Sequence, residues 1–256
     1  NEPPVTGPIN ATTRFIDNNN TVDNNFIQIN TAQVKALGAN PVYNATTNPG
    51  QRDGLIEFSS SFTWDFDRSN GITPGAFDFV GVAAHEIGHV LGFRSGVDLA
   101  DGNALPNQNA PNGARGLNNL AWGTVADLYR YGSFNGTQML DWSIGGDPCL
   151  SLTAGASCIG RLSTGRFNGD GRQASHWKDD VLTNQYVGLM DPTASGPGGT
   201  RPFQRITVED LIAFDAIGYD VSVPEPDSWA MMILGLGFTG AAMRRRQRVE
   251  RRRAAA

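Results

Sequence analysis

The residues best placed to do chemistry in this sequence are His85, Glu86 and His89, in the run Ala84-His85-Glu86-Ile87-Gly88-His89-Val90-Leu91-Gly92-Phe93. On a helix, residues i and i+4 share a face, so the two imidazoles of this His-Glu-x-x-His pattern can be aimed at one metal ion. Glu86 lies beside them, where a carboxylate can take a proton from a metal-held water. The chain has only 3 histidines, and this run uses two of them. Such a set supports zinc-assisted hydrolysis: zinc lowers the pKa of a bound water to about 7 and polarises a carbonyl. Glu86 would accept the water's proton and pass it to the leaving amine.

A catalytic zinc usually takes three protein ligands and keeps one position open. On the residues alone, two candidates could supply the third: Asp98, a carboxylate close in sequence, and His176, in Ala174-Ser175-His176-Trp177-Lys178. The helix carrying the first pair is predicted over Phe77–Phe93 from its apolar periodicity, with Asp78 in its early part and Gly92 as its stop. Before it, a short helix is expected at Ala32–Leu37. Leu55–Trp64 is rich in β-formers with partial alternation and reads as one strand or two, with Asp65–Gly75 as a turn region. After it come a Gly/Asn/Pro-rich loop over 99–120, a second helix at Thr124–Tyr131 and a mostly irregular stretch over 132–175. The last expected helix is Thr207–Tyr219, with Thr207 as N-cap, Asp210 as its capping partner and Gly218 as its stop.

The segments His85-Glu86-x-x-His89-x-x-Gly92-Phe93, Ser175-His176-Trp177 and Leu189-Met190 together resemble the leishmanolysin-like metzincins, as in a small bacterial relative. In the compact metzincin pattern a third histidine follows three residues after the glycine, and here that position is Ser95. In the leishmanolysin-like branch an insertion separates the helix from a distant third histidine. The resemblance therefore implies His176 as third ligand, Asp98 being the less favoured one, and Met190 as the methionine of a turn beneath the metal. It also implies an α+β metzincin-like fold. An N-terminal subdomain, about 1–93, would hold a small twisted sheet and the active-site helix. A loop-rich C-terminal subdomain, about 94–222, would end in a helix. Metzincins pair substrate with an edge strand, for which Leu55, Ile56, Glu57 and Phe58 are the candidates. Tyr186 stands open between a role near the oxyanion and plain packing. The chain departs from the parent family in length and in its 2 cysteines.

Composition is consistent with an exported, loop-rich globular protein: 31 Gly, 14 Pro and only 18% charged residues. The first 222 residues hold 13 basic and 22 acidic groups, a balance of −9 that disfavours nucleic acid as a partner. Cys149 and Cys158 share a Gly/Ser/Pro-rich loop and could close a small disulfide ring in an oxidising compartment. Two unrelated free thiols are the other reading, and a Cys-ligated zinc site lacks the C-x-x-C spacing it needs. The chain starts at Asn1 without Met, which predicts that a segment was removed before it.

After Tyr219-Asp220 the composition changes. Val223-Pro224-Glu225-Pro226, an apolar run from Trp229 to Met243 and a cluster of seven arginines follow in that order. The order resembles the PEP-CTERM sorting signal of Gram-negative bacteria. It implies export, transient inner-membrane retention by the positive-inside rule and processing by an exosortase-like enzyme, with release to the cell surface or medium. The apolar run is short for a stable span. The domain reading is a catalytic body over 1–222 and a sorting tail over 223–256. The expected activity is a zinc endopeptidase with one Zn2+ acting on protein or peptide substrates. The alternatives are a non-catalytic zinc-binding adhesion module on the same fold, or a zinc hydrolase of non-peptide amides.

Overall fold

Two short helices open the described part of the chain, α1 at Val22–Asn25 and α2 at Thr31–Ala36. In α2, Asn30 and Gln33 form a reciprocal capping box that satisfies two backbone donors at the helix start. The computed structural model describes residues 22–103, 117, 120–194, 196–198 and 204–221. By contacts the chain divides into two units, Asn1–Val221 and Ser222–Ala256. The second unit, with its Pro-Glu-Pro linker, apolar run and arginine cluster, lies outside the described residues. So do the Asn18–Asn20 run and most of the 99–120 loop.

The strand expected over Leu55–Trp64 does not form. Only Trp64–Asp65 is a strand, β1, and it pairs in parallel with Phe77–Asp78, β2. The serine run explains the loss. Ser61 N–H donates to Ser59 Oγ and the Trp64 indole donates to the Ser59 carbonyl, local bonds that compete with a ladder. The segment also lacks a buried face, since Leu55, Phe58 and Phe62 are all exposed. The small sheet expected before the active-site helix is thus one pair of two-residue strands.

The central helix, α3, runs Phe79–Leu91, shorter than expected at its start. Asp78 is its N-cap, in extended conformation, and accepts a bond from Gly81 N–H, so Phe77–Asp78 belongs to β2. Gly92 ends the helix in the left-handed region at φ 112°, where a side chain would be strained and would also collide with buried Gln33.

Beyond α3 the structure is more ordered than the sequence suggests. Helix α4 occupies Val97–Asn103, where loop was expected. The helix expected at Thr124–Tyr131 is a 3-10 turn at Ala126–Tyr129 that leads directly into a strand. The irregular 132–175 stretch contains most of a four-stranded antiparallel sheet. Its strands are β3 (Arg130–Phe134), β4 (Thr137–Leu140), β5 (Cys149–Leu150) and β6 (Gly160–Arg161), in the order β4-β3-β5-β6. The Cys149–Cys158 disulfide joins β5 to the loop before β6. A single turn, α5 (Asp180–Thr183), follows, and then α6 at Val208–Ala216. Thr207 and Asp210 form the capping box expected there. Phe93, Leu162, Trp177, Leu189, Met190 and Ala213 pack into one buried cluster, which gathers the end of α3, the Trp177 and Met190 segments and α6.

Candidate metal centre

Helix α3 places His85 and His89 one turn apart, and the segment after β6 brings His176 to them. The three Nε2 atoms form a near-equilateral triangle: 3.1 Å between His85 and His89, and 3.2 Å from each to His176. Three corners of a tetrahedron with metal–nitrogen bonds of about 2.0–2.1 Å are about 3.3–3.4 Å apart, so the triangle is of the size that zinc requires.

The other ring nitrogens determine what these atoms can do. His85 Nδ1 lies 2.8 Å from the Leu189 carbonyl, His89 Nδ1 2.8 Å from the Phe93 carbonyl and His176 Nδ1 3.1 Å from the Gln173 carbonyl. A carbonyl can only accept, so each Nδ1 carries the proton and each Nε2 presents a bare lone pair. The Gln204 amide approaches His85 Nδ1 at 3.5 Å, too long to compete with the carbonyl. With each Nδ1–H held by a carbonyl, three lone pairs converge, an arrangement that could hold a metal ion. Burial favours the neutral rings of His89 and His176. It lowers the His89 pKa, and it brings that of His176 to about 3, with the proximity of His89 and His85 adding to the effect.

Glu86 follows His85 on α3 and faces the same clefts as His89. Its carboxylate is half-buried and makes no hydrogen bond or ion pair to a described residue. It is therefore free to handle a proton.

Asp98, the other third-ligand candidate, is not among the converging groups. Its carboxylate accepts bonds from Ala174 N–H, Ser175 N–H and the Ser175 hydroxyl, and so fixes the loop that delivers His176. Burial raises its pKa, against those hydrogen bonds. Ser95, at the position of the compact pattern's histidine, ties the helix exit to this loop. Its N–H donates to Ser175 Oγ at 2.9 Å and its hydroxyl to buried Asp127 at 2.5 Å. Asp127 also receives Gly96 N–H and Thr124 N–H.

Met190 is fully buried beneath the helix, and its sulfur fills the space beside Gly88, between the two α3 histidines. The Met190 carbonyl accepts from Trp177 N–H at 3.0 Å, joining the methionine segment to the third-ligand segment. Asp210 locks both: one oxygen takes the Trp177 indole N–H at 2.8 Å, the other Leu189 N–H at 2.7 Å and Thr207 N–H at 2.8 Å. A Cβ on Gly88 would enter the Met190 side chain, so Gly88→Val is expected to lower stability by about 2–3 kcal/mol. Denaturant titration in excess chelator checks this, and an unchanged midpoint would mean that the helix and Met190 are not packed as described.

None of the remaining sequence candidates is among the three converging groups. Leu55, Ile56, Glu57 and Phe58 line a groove shared with Glu86 and His89, but as irregular chain and not as a strand. Tyr186 lines a different cavity, where its hydroxyl is bonded to the Arg205 backbone, so it has no place near an oxyanion at the triad. Sequence reasoning missed Asp127 altogether and saw in Asp210 only a cap. Neither reach has a local signal, because the partners lie in segments distant along the chain.

Comparison with protein families finds the PEP-CTERM protein-sorting motif at residues 222–246. The motif implies export, with C-terminal membrane anchoring before processing by exosortase-like machinery. Comparison with curated proteins and with solved structures finds no match. Among the described residues no helix is long and apolar enough to cross a membrane.

Proposed function

We propose that this chain is an exported zinc-dependent endopeptidase of metzincin type, carried to the envelope by its C-terminal sorting motif. One observation carries the reading: the Nε2 atoms of buried His85 and His176 and half-buried His89 converge at 3.1–3.2 Å, each ring fixed by a backbone carbonyl on its other nitrogen. Support comes also from Glu86 beside them, Gly92 turning the chain out of the helix, and Met190 packed underneath.

His85, His89 and His176 would hold the ion through Nε2. When bound, zinc supplies an acidified water and a Lewis acid for the peptide carbonyl. Glu86 takes a proton from the attacking water on a carboxylate oxygen and delivers it to the amide nitrogen as the C–N bond breaks. The carbonyls of Leu189, Phe93 and Gln173 keep the rings in register by holding each Nδ1–H.

The test is reversible metal removal. Casein digestion by the full chain is expected to stop on chelation and to return on adding zinc. Digestion that continues in chelator would sink the proposal. Zinc uptake without any digestion would leave the binding-module alternative in possession.

A further inference from the structure

Two clefts meet at the triad, and their walls differ in chemistry. The first, about 640 Å3, follows the Gly54–Ser59 chain and is walled by Leu55, Phe58, Phe62 and Trp64. Leu55, Phe58 and Phe62 are exposed there, and ring contacts at 5.9–6.0 Å hold Phe58 and Phe62 against Trp64. An exposed apolar face beside a reactive group marks a place where something docks. The second cleft, about 890 Å3, contains all three histidines and is lined by Arg94, Arg166 and Arg172. Glu86, His89 and Arg94 belong to both clefts.

The arginines are not equivalent. Arg172 is committed to buried Asp179 at 2.5 Å. Arg94 and Arg166 are exposed, and neither has a carboxylate within ion-pair distance among the described residues. Asp98 also lines this cleft, but its oxygens are taken by Ala174 and Ser175. Alongside Glu86, a body with a balance of −9 thus presents at this cleft two cations, Arg94 and Arg166, the latter over the Phe167 ring, with no ion pair among the described residues. That is charge complementarity to an acidic ligand.

We propose that the site selects polypeptides carrying Asp or Glu on one side of the cleaved bond and a bulky apolar residue on the other. Arg94 and Arg166 receive the carboxylate, and the Phe58–Phe62–Trp64 face receives the apolar side chain. The inference rests on the hydrolytic reading of the triad, and its test separates the two.

Zinc-loaded full-length Glu86→Ala protein is titrated with labelled peptides that carry Phe and Asp on opposite sides of a central bond, read by fluorescence anisotropy. Matched peptides replace Asp with Ala or Lys, or Phe with Ser. The Asp peptide is expected to bind roughly fivefold more tightly than the Ala peptide, the effect of one exposed ion pair, and the advantage disappears at high salt. The Phe→Ser change is expected to weaken binding by roughly tenfold or more. Adding Arg94→Glu and Arg166→Glu reverses the order of the Asp and Lys peptides. Equal binding of the Asp, Ala and Lys peptides, or an order unmoved by the charge reversal, overturns the proposal. If the order holds in binding but protein with Glu86 intact cleaves nothing, the hydrolytic reading fails and the recognition stands. If it cleaves all peptides at one rate, hydrolysis stands and the recognition fails.

Discussion

On the reading proposed above, Glu86→Ala is expected to leave zinc bound and to stop peptide hydrolysis. The first half follows from position. The Glu86 carboxylate bonds to no described residue, and the three rings are oriented by carbonyls at Leu189, Phe93 and Gln173, so removing it disturbs no part of the donor set. Alanine is also the best helix former, so α3 keeps its geometry. The second half follows from chemistry. A positioned general base is worth about 10²–10⁴ in rate. Of the other carboxylates lining the two clefts, Asp53 is held by Lys35 and Tyr43, and Glu57 lines only the cleft that lacks His85 and His176. Asp98 is the nearest alternative, and its oxygens already hold the loop before His176. Zinc content and casein turnover, measured on the same preparation, check both halves. A variant that keeps more than about a tenth of wild-type turnover removes Glu86 from the mechanism. A variant that loses its zinc gives the residue a structural role instead.

His176→Ala is expected to abolish both zinc binding and turnover. Two histidines on one helix remain, but they cannot close a tetrahedral site, and the third corner comes from 87 residues away. Loss of an outer partner of a ligand alone costs about 10–100-fold in metal affinity, and loss of the ligand costs more. The readout is metal content after dialysis, together with the rise in melting temperature on adding zinc, which depends on binding to the folded state. Wild type gains stability with zinc and the variant does not. Because the buried His176 ring also stacks on His85, the metal-free variant should melt below metal-free wild type, so the zinc-dependent rise is compared within each protein. Undiminished zinc affinity would mean that another group completes the shell.

The parts of this site that can be read along the chain are those whose signal is local. The His85/His89 spacing, the Gly92 stop and the Thr207–Asp210 cap each act within one or two helical turns, where residue type and spacing decide the outcome. What escaped reading depends on partners far away. Asp98 looks like a ligand because it is a carboxylate near a histidine pair, and only the fold reveals that it holds Ala174 and Ser175. The Leu55–Trp64 stretch carries β-forming residues, but among the described residues a strand pairs only with its last residue, Trp64, and the serines bond locally, so propensity had little to act on. The β3–β6 sheet was hidden for the opposite reason. Its strands are 5, 4, 2 and 2 residues long, too short for alternation to emerge, and they are held by pairing and by the Cys149–Cys158 link.

The distance along the chain between His89 and His176 also has a bearing on time. Contacts between residues widely separated in sequence form late in folding, because the intervening loop must first be closed. A molecule in which that loop is still open has at most the two imidazoles of α3 and lacks the third donor. Assembly of the β3–β6 sheet, seating of Trp177 on Asp210 and arrival of the third imidazole are stages of one event. On the hydrolytic reading proposed above, the nascent chain would therefore be inert, and its chemistry would begin only when the whole body has closed.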